Sequence, residues 1–248
     1  MLCEGRVAIV TGGGRGLGAG YCRALAGEGA SVVVADITEE GAREVADAIG
    51  GLAVKVDVAD EASAQSMVAA ALERYGRIDI LINNAAIFTE LRRPPKRFEE
   101  IPIEEWDRVM AVNVRGVWLC CKAVSPTFRK QRSGVIVNIS SGTIYTGVEG
   151  FMHYVTSKAA VWGMTRVLAR ELGDAGVRVN SITPGLTSSE AVQEVYPVDR
   201  LEASAERRIF KREETGADLV GTVLYLCSDA SAFVTGQSIN VDGGAYMH

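Results

Sequence analysis

Apolar and polar positions divide the chain into two kinds of segment that alternate. Short runs rich in Val, Ile and Leu, such as Ser31–Ala35 and Val135–Ile139, are separated by longer, Ala-rich segments with helical spacing. The short runs are apolar at consecutive positions rather than at every second one, which is typical of strands covered on both faces. This alternation predicts a parallel sheet between two layers of helices.

The pattern predicts seven strands and six helices. The predicted strands are Arg6–Val10, Ser31–Ala35, Leu52–Val56, Ile78–Ile82, Val135–Ile139, Val177–Ile182 and Ser238–Val241. The predicted helices are Leu17–Glu28, Glu39–Ile49, the segment from its cap Asp60 to Tyr75, Glu104–Arg129 (perturbed near its end by Pro126), His153–Leu172 and Ala217–Ser228. Because such crossovers are right-handed, we expect one doubly wound α/β domain over residues 1–248, with a seven-stranded parallel sheet and helices on both faces.

Two segments do not fit this alternation. Phe88–Pro102 and Leu186–Thr215 are loop-like or weakly helical, and they follow the fourth and sixth predicted strands. Open α/β sheets bind ligands beyond the carboxyl ends of their strands. We therefore expect both segments, and residues 186–215 in particular, to cover a substrate.

Composition and charge exclude several classes of protein. The chain has 248 residues, 48% hydrophobic and 23% charged, with a net charge of −5 and a pI of about 5.3. That is ordinary globular composition without the basic footprint of a nucleic-acid or anionic-membrane binder. No apolar run approaches the ~20 residues of a membrane span, and no signal-peptide core is visible near the N-terminus. The odd count of cysteines, with no metal-like spacing, predicts reduced thiols in a cytoplasmic protein and no metal site; these are Cys3, Cys22, Cys120, Cys121 and Cys227.

A glycine-rich turn, Thr11-Gly-Gly-Gly-Arg-Gly-Leu-Gly18, joins the first predicted strand to the first predicted helix. A pyrophosphate needs backbone N–H groups and the positive end of a helix close by, and side chains would obstruct that approach. Asp36 closes the second strand, where a carboxylate accepts hydrogen bonds from an adenosine ribose diol and repels a 2′-phosphate. Arg15 could meet a 2′-phosphate instead. We weigh Asp36 more heavily and predict NAD rather than NADP.

Further motifs follow in a fixed order. They are Asp57-Val58, Asn83-Asn84-Ala85-Ala86, Asn113, Ser140-Ser141, Tyr154-x3-Lys158, Pro184-Gly185 and Asp242-Gly243-Gly244. Together with the turn spacing Thr-Gly-x3-Gly-x-Gly they resemble the short-chain dehydrogenase/reductase family over about Gly5 to Gly244, nearly the whole chain. Within that family, Ser141–Lys158 and Asp242–His248 look most like NAD-dependent members acting on aromatic or alicyclic secondary alcohols.

The resemblance implies a catalytic set of Ser141, Tyr154, Lys158 and Asn113. Tyr154 and Lys158 are four residues apart and share one face of a helix, and a nearby ammonium favours the phenolate of a tyrosine. The family's pattern makes Tyr154 the acid/base that exchanges a proton with an alcohol or ketone as hydride moves. By the same pattern Lys158 also binds the nicotinamide ribose, and Ser141 forms a hydrogen bond with the substrate oxygen. Asn113 holds a water molecule that links Lys158 to solvent.

The turn, Asp36 and the resemblance together define a set of expected cofactor contacts. They are Gly12, Gly14, Arg15, Gly16, Leu17, Asp36, Ile37, Asp57, Val58, Asn84, Ala85, Ala86, Ile139, Tyr154, Lys158, Pro184, Gly185, Thr187 and Ser189. Two departures from the family's pattern stand out. Ala86 occupies a position where the family usually has glycine, and Ser189 one where it usually has threonine, so that Thr187, Ser188 and Ser189 all offer hydroxyls there.

Bulky side chains are expected around the substrate. Thr143, Tyr145, Phe151 and Tyr196 join Ser141 in the predicted pocket, which suits a hydrophobic or ring-bearing secondary alcohol or ketone. His153 lies one step from Tyr154 on the helix, so its side chain points about 100° away and a structural role is expected.

Two other functions remain open from the sequence. Basic clusters, Arg92, Arg93, Lys96 and Arg97 in one and Arg129, Lys130 and Arg132 in the other, could bind the phosphates of an acyl carrier or coenzyme A. That would suit an NADPH-dependent 3-oxoacyl thioester reductase. A non-catalytic dinucleotide-binding sensor is the alternative of another class, although the catalytic set is complete. The resemblance also implies a homotetramer built through the helices at Glu104–Arg129 and Tyr154–Leu172 and through the last helix and strand.

Overall fold

The described residues fold around one parallel β-sheet. The structure is a computed structural model that describes residues 1–88, 91, 96–193 and 198–247. Its strands are β1 (Val7–Thr11), β2 (Ser31–Asp36), β3 (Leu52–Lys55), β4 (Ile80–Asn83), β5 (Gly134–Ile139), β6 (Val177–Pro184), β7 (Thr187–Ser188), β8 (Glu214–Thr215) and β9 (Ser238–Val241). In this part of the chain, seven strands pair in the order β3-β2-β1-β4-β5-β6-β9, all parallel.

Helices cover both faces of the sheet. They are α1 (Gly16–Gly27), α2 (Glu39–Ile49), α3 (Glu61–Tyr75), α4 (Ile103–Met110), α5 (Gly116–Gln131), α6 (Thr143–Thr146), α7 (Met152–Leu172), α8 (Glu190–Gln193), α9 (Val198–Glu206) and α10 (Gly216–Cys227). One apolar cluster joins α1, α2 and α10 to the sheet, and a second joins α3, α5 and α7 to the other face. The prediction of a doubly wound α/β sheet is therefore confirmed.

The strand order places a crevice between β1 and β4. The chain winds from β1 outward to β2 and β3, and then from β4 outward to β5 and β6. At such a switch point the two outgoing connections leave in opposite directions, which opens a ligand crevice at the carboxyl ends of the strands. The glycine-rich turn follows β1 at this edge, and Asn84 follows β4.

The long helix predicted at Glu104–Arg129 differs in detail. It is divided by a wide, π-helical turn over Ala111–Arg115 that separates α4 from α5. Pro126 lies inside α5, which continues to Gln131, so the proline does not end the helix. A helical period cannot show a wide turn, because the extra residue is accommodated without breaking the apolar face.

The covering segment also carries structure that the sequence pattern does not show. Strands β7 and β8 pair in parallel, Thr187 with Glu214 and Ser188 with Thr215, and form a small second sheet. Two-residue strands are too short to have a recognisable period. Among the helices of the described residues, none has the length and apolar character needed to span a bilayer.

Candidate active site

The glycine-rich turn forms an open cradle at the start of α1. Gly12 and Gly16 take positive φ angles, 63° and 54°. A Cβ atom on Gly12 would lie 2.9 Å from Ala85 Cα, whereas one on Gly16 would meet nothing within 4 Å. Gly12 is therefore needed for packing, and Gly16 leaves space beside the first turn of the helix. This space and the exposed N–H groups of α1 fit a pyrophosphate.

Asp36 is fixed at the end of β2, directly against this turn. Its Oδ2 atom accepts a hydrogen bond from Gly14 N at 2.9 Å, and its Oδ1 atom accepts from Thr38 N and Oγ1 at 3.0 and 2.8 Å. A Cβ atom on Gly14 would lie 3.0 Å from Asp36 Cγ. A carboxylate has roughly four acceptor sites, so one remains for a ligand. Nearby, Arg15 and Ile37 are exposed on the same edge, and Leu17 is half-buried.

Asn84 acts on the glycine-rich turn itself. Its Nδ2 atom donates to the carbonyl oxygens of Thr11 and Gly12, each at 3.0 Å. Thr11 Oγ1 in turn accepts from the backbone N–H groups of Asn84 and Ala85. Both amide hydrogens of Asn84 are thus used to join β4 to the turn. The resemblance implies that Asn84 and Ala85 lie beside the ribose and nicotinamide; the structure places both directly after β4, bonded to Thr11 at the end of β1.

The residues expected near the adenine lie at the same edge of the sheet. Asp57 follows β3 and accepts a hydrogen bond from Ala59 N through Oδ1 at 2.9 Å. Val58 is buried against α5, where a Cβ atom on Gly116 would lie 2.8 Å from Val58 Cγ2. The glycine at the start of α5 therefore lets the β3 loop approach the helix closely.

Asn113 lies in the wide turn between α4 and α5 and is buried. Its Oδ1 atom accepts from Ile87 N at 2.7 Å, and its Nδ2 atom donates to Ile87 O at 3.2 Å and to Ser157 Oγ at 3.1 Å. Ser157 Oγ donates to Tyr154 O at 2.6 Å. Asn113 therefore joins the loop that carries Ala86 to the turn of α7 that carries Tyr154.

Tyr154 and Lys158 are both buried on α7. The Lys158 Nζ atom lies 5.7 Å from the centre of the Tyr154 ring and donates to Ile139 O at 2.8 Å. Burial lowers the pKa of Lys158 to about 8. A desolvated ammonium next to a phenol is a strong electrostatic partner for a phenolate, because the local dielectric is low.

Ser141 lies just after β5, and its hydroxyl oxygen accepts two hydrogen bonds. Its Oγ atom accepts from Thr143 N at 3.2 Å and from Thr143 Oγ1 at 3.0 Å. The neighbouring Ser140 donates from Oγ to Lys158 O at 2.8 Å and so ties the end of β5 to α7. With two bonds accepted, the Ser141 hydroxyl hydrogen remains available to a substrate oxygen. Tyr145 is half-buried on the short helix α6 beside it.

Aromatic rings line the Tyr154 side of the site. The Phe88 ring centre lies 4.9 Å from that of Tyr154 and 6.2 Å from that of Phe151. Phe151, predicted to line the substrate pocket, is buried in this cluster. The remaining predicted pocket residue, Tyr196, lies outside the described residues.

The segment Pro184–Ser189 begins at the last residue of β6 and contacts the residue before α6. Pro184 O accepts from Gly142 N at 2.8 Å, and Gly185 N donates to Val241 O at 3.1 Å. Thr187 Oγ1 donates to Glu214 Oε1 at 2.6 Å. Ser189 Oγ accepts from Val192 N at 3.3 Å. The threonine hydroxyl therefore points at a buried carboxylate, and the serine hydroxyl retains its hydrogen for a ligand.

His153, Lys96 and Arg129 each contact a carboxylate. His153 Nε2 lies 3.1 Å from Glu105 Oε1, and Glu105 Oε2 accepts from Lys96 Nζ at 2.6 Å. Arg129 pairs with Asp174 at 3.4 Å. Arg92 and Arg93 lie outside the described residues. Within those residues, no group of three or more His, Cys, Asp or Glu side chains could hold a metal ion.

Three residues around the site were not singled out from the sequence: Ser157, Arg208 and Glu214. Thr11 was quoted there only as the first residue of the glycine motif, and the structure adds its hydrogen bonds to Asn84 and Ala85. Ser157 lies three residues after Tyr154 but carries no motif. Arg208 and Glu214 come from a charged stretch whose sequence is typical of solvated loops, and only their burial distinguishes them.

The fold and these residues define an oxidoreductase built around a nicotinamide-dinucleotide cradle. The sequence profile of a family described as "Enoyl-(Acyl carrier protein) reductase" matches residues 12–246. The chain belongs to the short-chain dehydrogenase/reductase family, as the sequence motifs predicted.

Individual relatives cover nearly the whole chain. An uncharacterised oxidoreductase of Mycobacterium tuberculosis is 42% identical over 98% of both chains. The 3-oxoacyl-[acyl-carrier-protein] reductase of Thermotoga maritima is 36% identical over 98% of this chain and 99% of its own length. The crystal structure of a Brucella melitensis 3-ketoacyl-(acyl-carrier-protein) reductase complexed with NADH superposes with a TM-score of 0.91 at 33% identity, covering 99% of this chain and 100% of that one.

Proposed function

We propose that this protein reduces the 3-keto group of an acyl thioester, with NADH as the hydride donor and Tyr154 as the proton donor. The observation that carries the proposal is that the Lys158 ammonium, the Tyr154 ring and the end of β5 with Ser141 meet at the same sheet edge as the glycine cradle. When bound, the nicotinamide supplies the hydride for the carbonyl carbon.

The side chains divide the remaining work. Ser141 has accepted two hydrogen bonds, so its hydroxyl donates to the carbonyl oxygen and fixes it. Tyr154 gives its hydroxyl proton to that oxygen as negative charge develops there. Lys158 stabilises the phenolate that Tyr154 leaves behind, from a site whose low polarity strengthens the attraction. Asn113 and Ser157 hold the helix turn that carries Tyr154.

NADH rather than NADPH follows from Asp36. Its carboxylate is fixed by three accepted hydrogen bonds, one from Gly14 and two from Thr38, and a 2′-phosphate at this position would meet a negative charge. A ribose hydroxyl would donate to the acceptor site that remains. The Brucella relative's complex with NADH supports the same choice.

The acyl thioester is favoured by the relatives. The family profile and the Thermotoga and Brucella proteins carry names of acyl-carrier-protein reductases. The main expectation from the sequence, a hydrophobic secondary alcohol or ketone, remains the second candidate, supported by the packing of Phe88 and Phe151 around Tyr154. Both candidates use the same residues for the same type of hydride transfer and differ in the substrate.

Initial rates distinguish these candidates. The purified protein is assayed with NADH and with NADPH on acetoacetyl-coenzyme A and longer 3-oxoacyl thioesters, and with NAD on ring-bearing secondary alcohols. We expect NADH-linked reduction of the thioesters that falls by about 10²–10⁴-fold in Tyr154→Phe. Turnover of the alcohols alone would favour the second candidate. Dinucleotide binding without turnover of either class would identify a sensor.

We also propose that the protein is a cytoplasmic homotetramer. All five cysteines are buried free thiols, which supports a reducing compartment. A groove of about 780 Å³ opens on the face formed by α4, the wide turn and α7, the helices expected at the subunit contact. Trp118 is half-exposed beside it together with Met110 and Met164, and such an apolar surface suits contact with another subunit.

A further inference from the structure

A buried ion pair lies inside the segment that covers the site. Arg208, which follows α9, and Glu214 on β8 are each about 3% exposed, and Arg208 Nη2 lies 3.4 Å from Glu214 Oε2. The mechanism described above uses neither side chain. Burying two charges is costly unless their remaining donors and acceptors are satisfied.

The hydrogen-bond partners of the pair lie in the segment after β6 and in the loop after β9. Arg208 Nη2 donates to Leu186 O at 2.8 Å, and Nε donates to Asp242 O at 3.1 Å. Glu214 Oε1 accepts from Thr187 Oγ1 at 2.6 Å. The ion pair therefore bonds to two consecutive residues after Gly185 and also to the loop after β9.

Gly185 packs directly on the same pair. A Cβ atom there would lie 2.5 Å from Glu214 Oε2 and 3.4 Å from Arg208 Nη2. The residue before it, Pro184, accepts the hydrogen bond from Gly142 N, next to Ser141. A shift of the ion pair would therefore move the 185–187 backbone and reach the loop that carries Ser141.

We infer that Arg208 and Glu214 are positioning residues that set the backbone of residues 185–187 for the nicotinamide ring. This inference rests on the proposed function and on the family resemblance, which implies that Pro184, Gly185 and Thr187 pass the nicotinamide. The pair also couples cofactor binding to the covering segment, because both charges belong to that segment while Gly185 and Asp242, which they contact, directly follow the ends of β6 and β9. The adenosine half of the cofactor, bound at Gly12–Gly18 and Asp36, is independent of the pair.

Two ligands separate these halves. NADH contains the nicotinamide, whereas ADP-ribose has the same adenosine and pyrophosphate without it. Dissociation constants for both are measured by calorimetry in wild type, Glu214→Gln, Thr187→Val and Thr187→Ser. Thr187→Val removes the hydroxyl that bonds to Glu214 and keeps the side-chain volume, and Thr187→Ser restores that hydroxyl. The threonine pair keeps the test valid if Glu214→Gln does not fold, because each member leaves both buried charges in place.

Asp79→Asn is the matched control. Asp79 is a similarly buried carboxylate that pairs with an arginine, Arg77, and accepts from Val7 N at 2.8 Å. It lies at the opposite, amino-terminal end of the strands, where β1 and β4 begin. Its replacement tests what a general loss of stability does to binding.

We expect Glu214→Gln and Thr187→Val to raise the dissociation constant for NADH by about tenfold, which is the effect of losing one hydrogen bond to an ordered group. ADP-ribose binding should stay within about twofold of wild type, Thr187→Ser should recover NADH binding relative to Thr187→Val, and Asp79→Asn should bind both ligands like wild type. Equal losses for NADH and ADP-ribose, or an unchanged NADH constant in Thr187→Val, would overturn the inference. Failure of wild type to bind NADH would instead overturn the proposed function.

Discussion

The Lys158 ammonium donates a hydrogen bond to the carbonyl oxygen of Ile139, with 2.8 Å between Nζ and O. Ile139 is the last residue of β5, and Ser141 follows two residues later. This bond therefore joins the helix that carries Tyr154 to the strand end that carries Ser141. The same burial that allows the contact lowers the pKa of Lys158 to about 8.

A buried lysine of this kind makes stability depend on pH in a defined direction. The pKa of Lys158 is lower in the folded protein than the ordinary 10.5, so between about pH 8 and 10.5 the unfolded chain binds more protons. The contribution of Lys158 to stability is therefore present above pH 10.5 and is lost as pH falls through about 8. Relative to Lys158→Met, wild type should gain about 3 kcal/mol across this interval.

Urea unfolding of both proteins from pH 7 to 10 measures this gain. Lys158→Met lacks the ionisable group, so the titrations of groups remote from Lys158 cancel in the comparison. Two parallel stability curves would show that Lys158 is not desolvated. The variant should also lose reductase activity at every pH, because nothing then stabilises the Tyr154 phenolate.

Asp36 should control the choice between the two nicotinamide dinucleotides. Asp36→Asn keeps the shape of the side chain and removes the charge that opposes a 2′-phosphate. Activity with NADPH should rise and activity with NADH should fall. The ratio of kcat/KM for NADPH to that for NADH should rise by at least about tenfold, because two charges about 4 Å apart near a surface interact by about 4 kcal/mol. Steady-state rates with each cofactor measure the ratio.

Glu39→Gln serves as the control for this change. Glu39 is an exposed carboxylate in the first turn of α2, near Asp36 in sequence but without its bond to Gly14. It should leave the ratio within about twofold of wild type, because exposed charges are well screened. If both variants change the ratio equally, the discrimination comes from net charge and not from the site of Asp36.

Asn113 should contribute to stability as well as to the site. Asn113→Ala leaves the N–H and C=O groups of Ile87 without partners and should lower the free energy of unfolding by about 2 kcal/mol. Ser157→Ala removes only the hydroxyl that Asn113 and Tyr154 share, and should cost less. Urea titration ranks the two, and a smaller loss in Asn113→Ala than in Ser157→Ala would contradict this account.

Trp118 should mark a subunit contact. Trp118→Glu places a charge on the face beside the groove and should dissociate the proposed homotetramer to smaller species in analytical ultracentrifugation, because an unpaired charge cannot be buried there cheaply. Phe98→Glu makes the same change at an exposed ring outside this face and should sediment like wild type. A monomeric wild type would overturn the proposed homotetramer.

The hydrophobic pattern alone determined the doubly wound sheet, because strands buried on both faces and helices with one apolar face leave few other arrangements. Local spacing also determined the glycine cradle and the shared face of Tyr154 and Lys158, since a turn or helix fixes the geometry of neighbours in sequence. Charge at a strand end was enough to single out Asp36.

Only the tertiary structure decided what distant residues do to one another. Asn84 donates both hydrogens of its side-chain amide to the carbonyl oxygens of Thr11 and Gly12. These residues are about 70 positions away in the chain, so no local pattern contains the contact. Arg208 and Glu214 lie in a stretch typical of solvated loops, yet they are buried against residues 185–187. The sequence shows which side chains can carry a charge. How far such a side chain is desolvated, and which groups it contacts, depends on which segments the fold brings together.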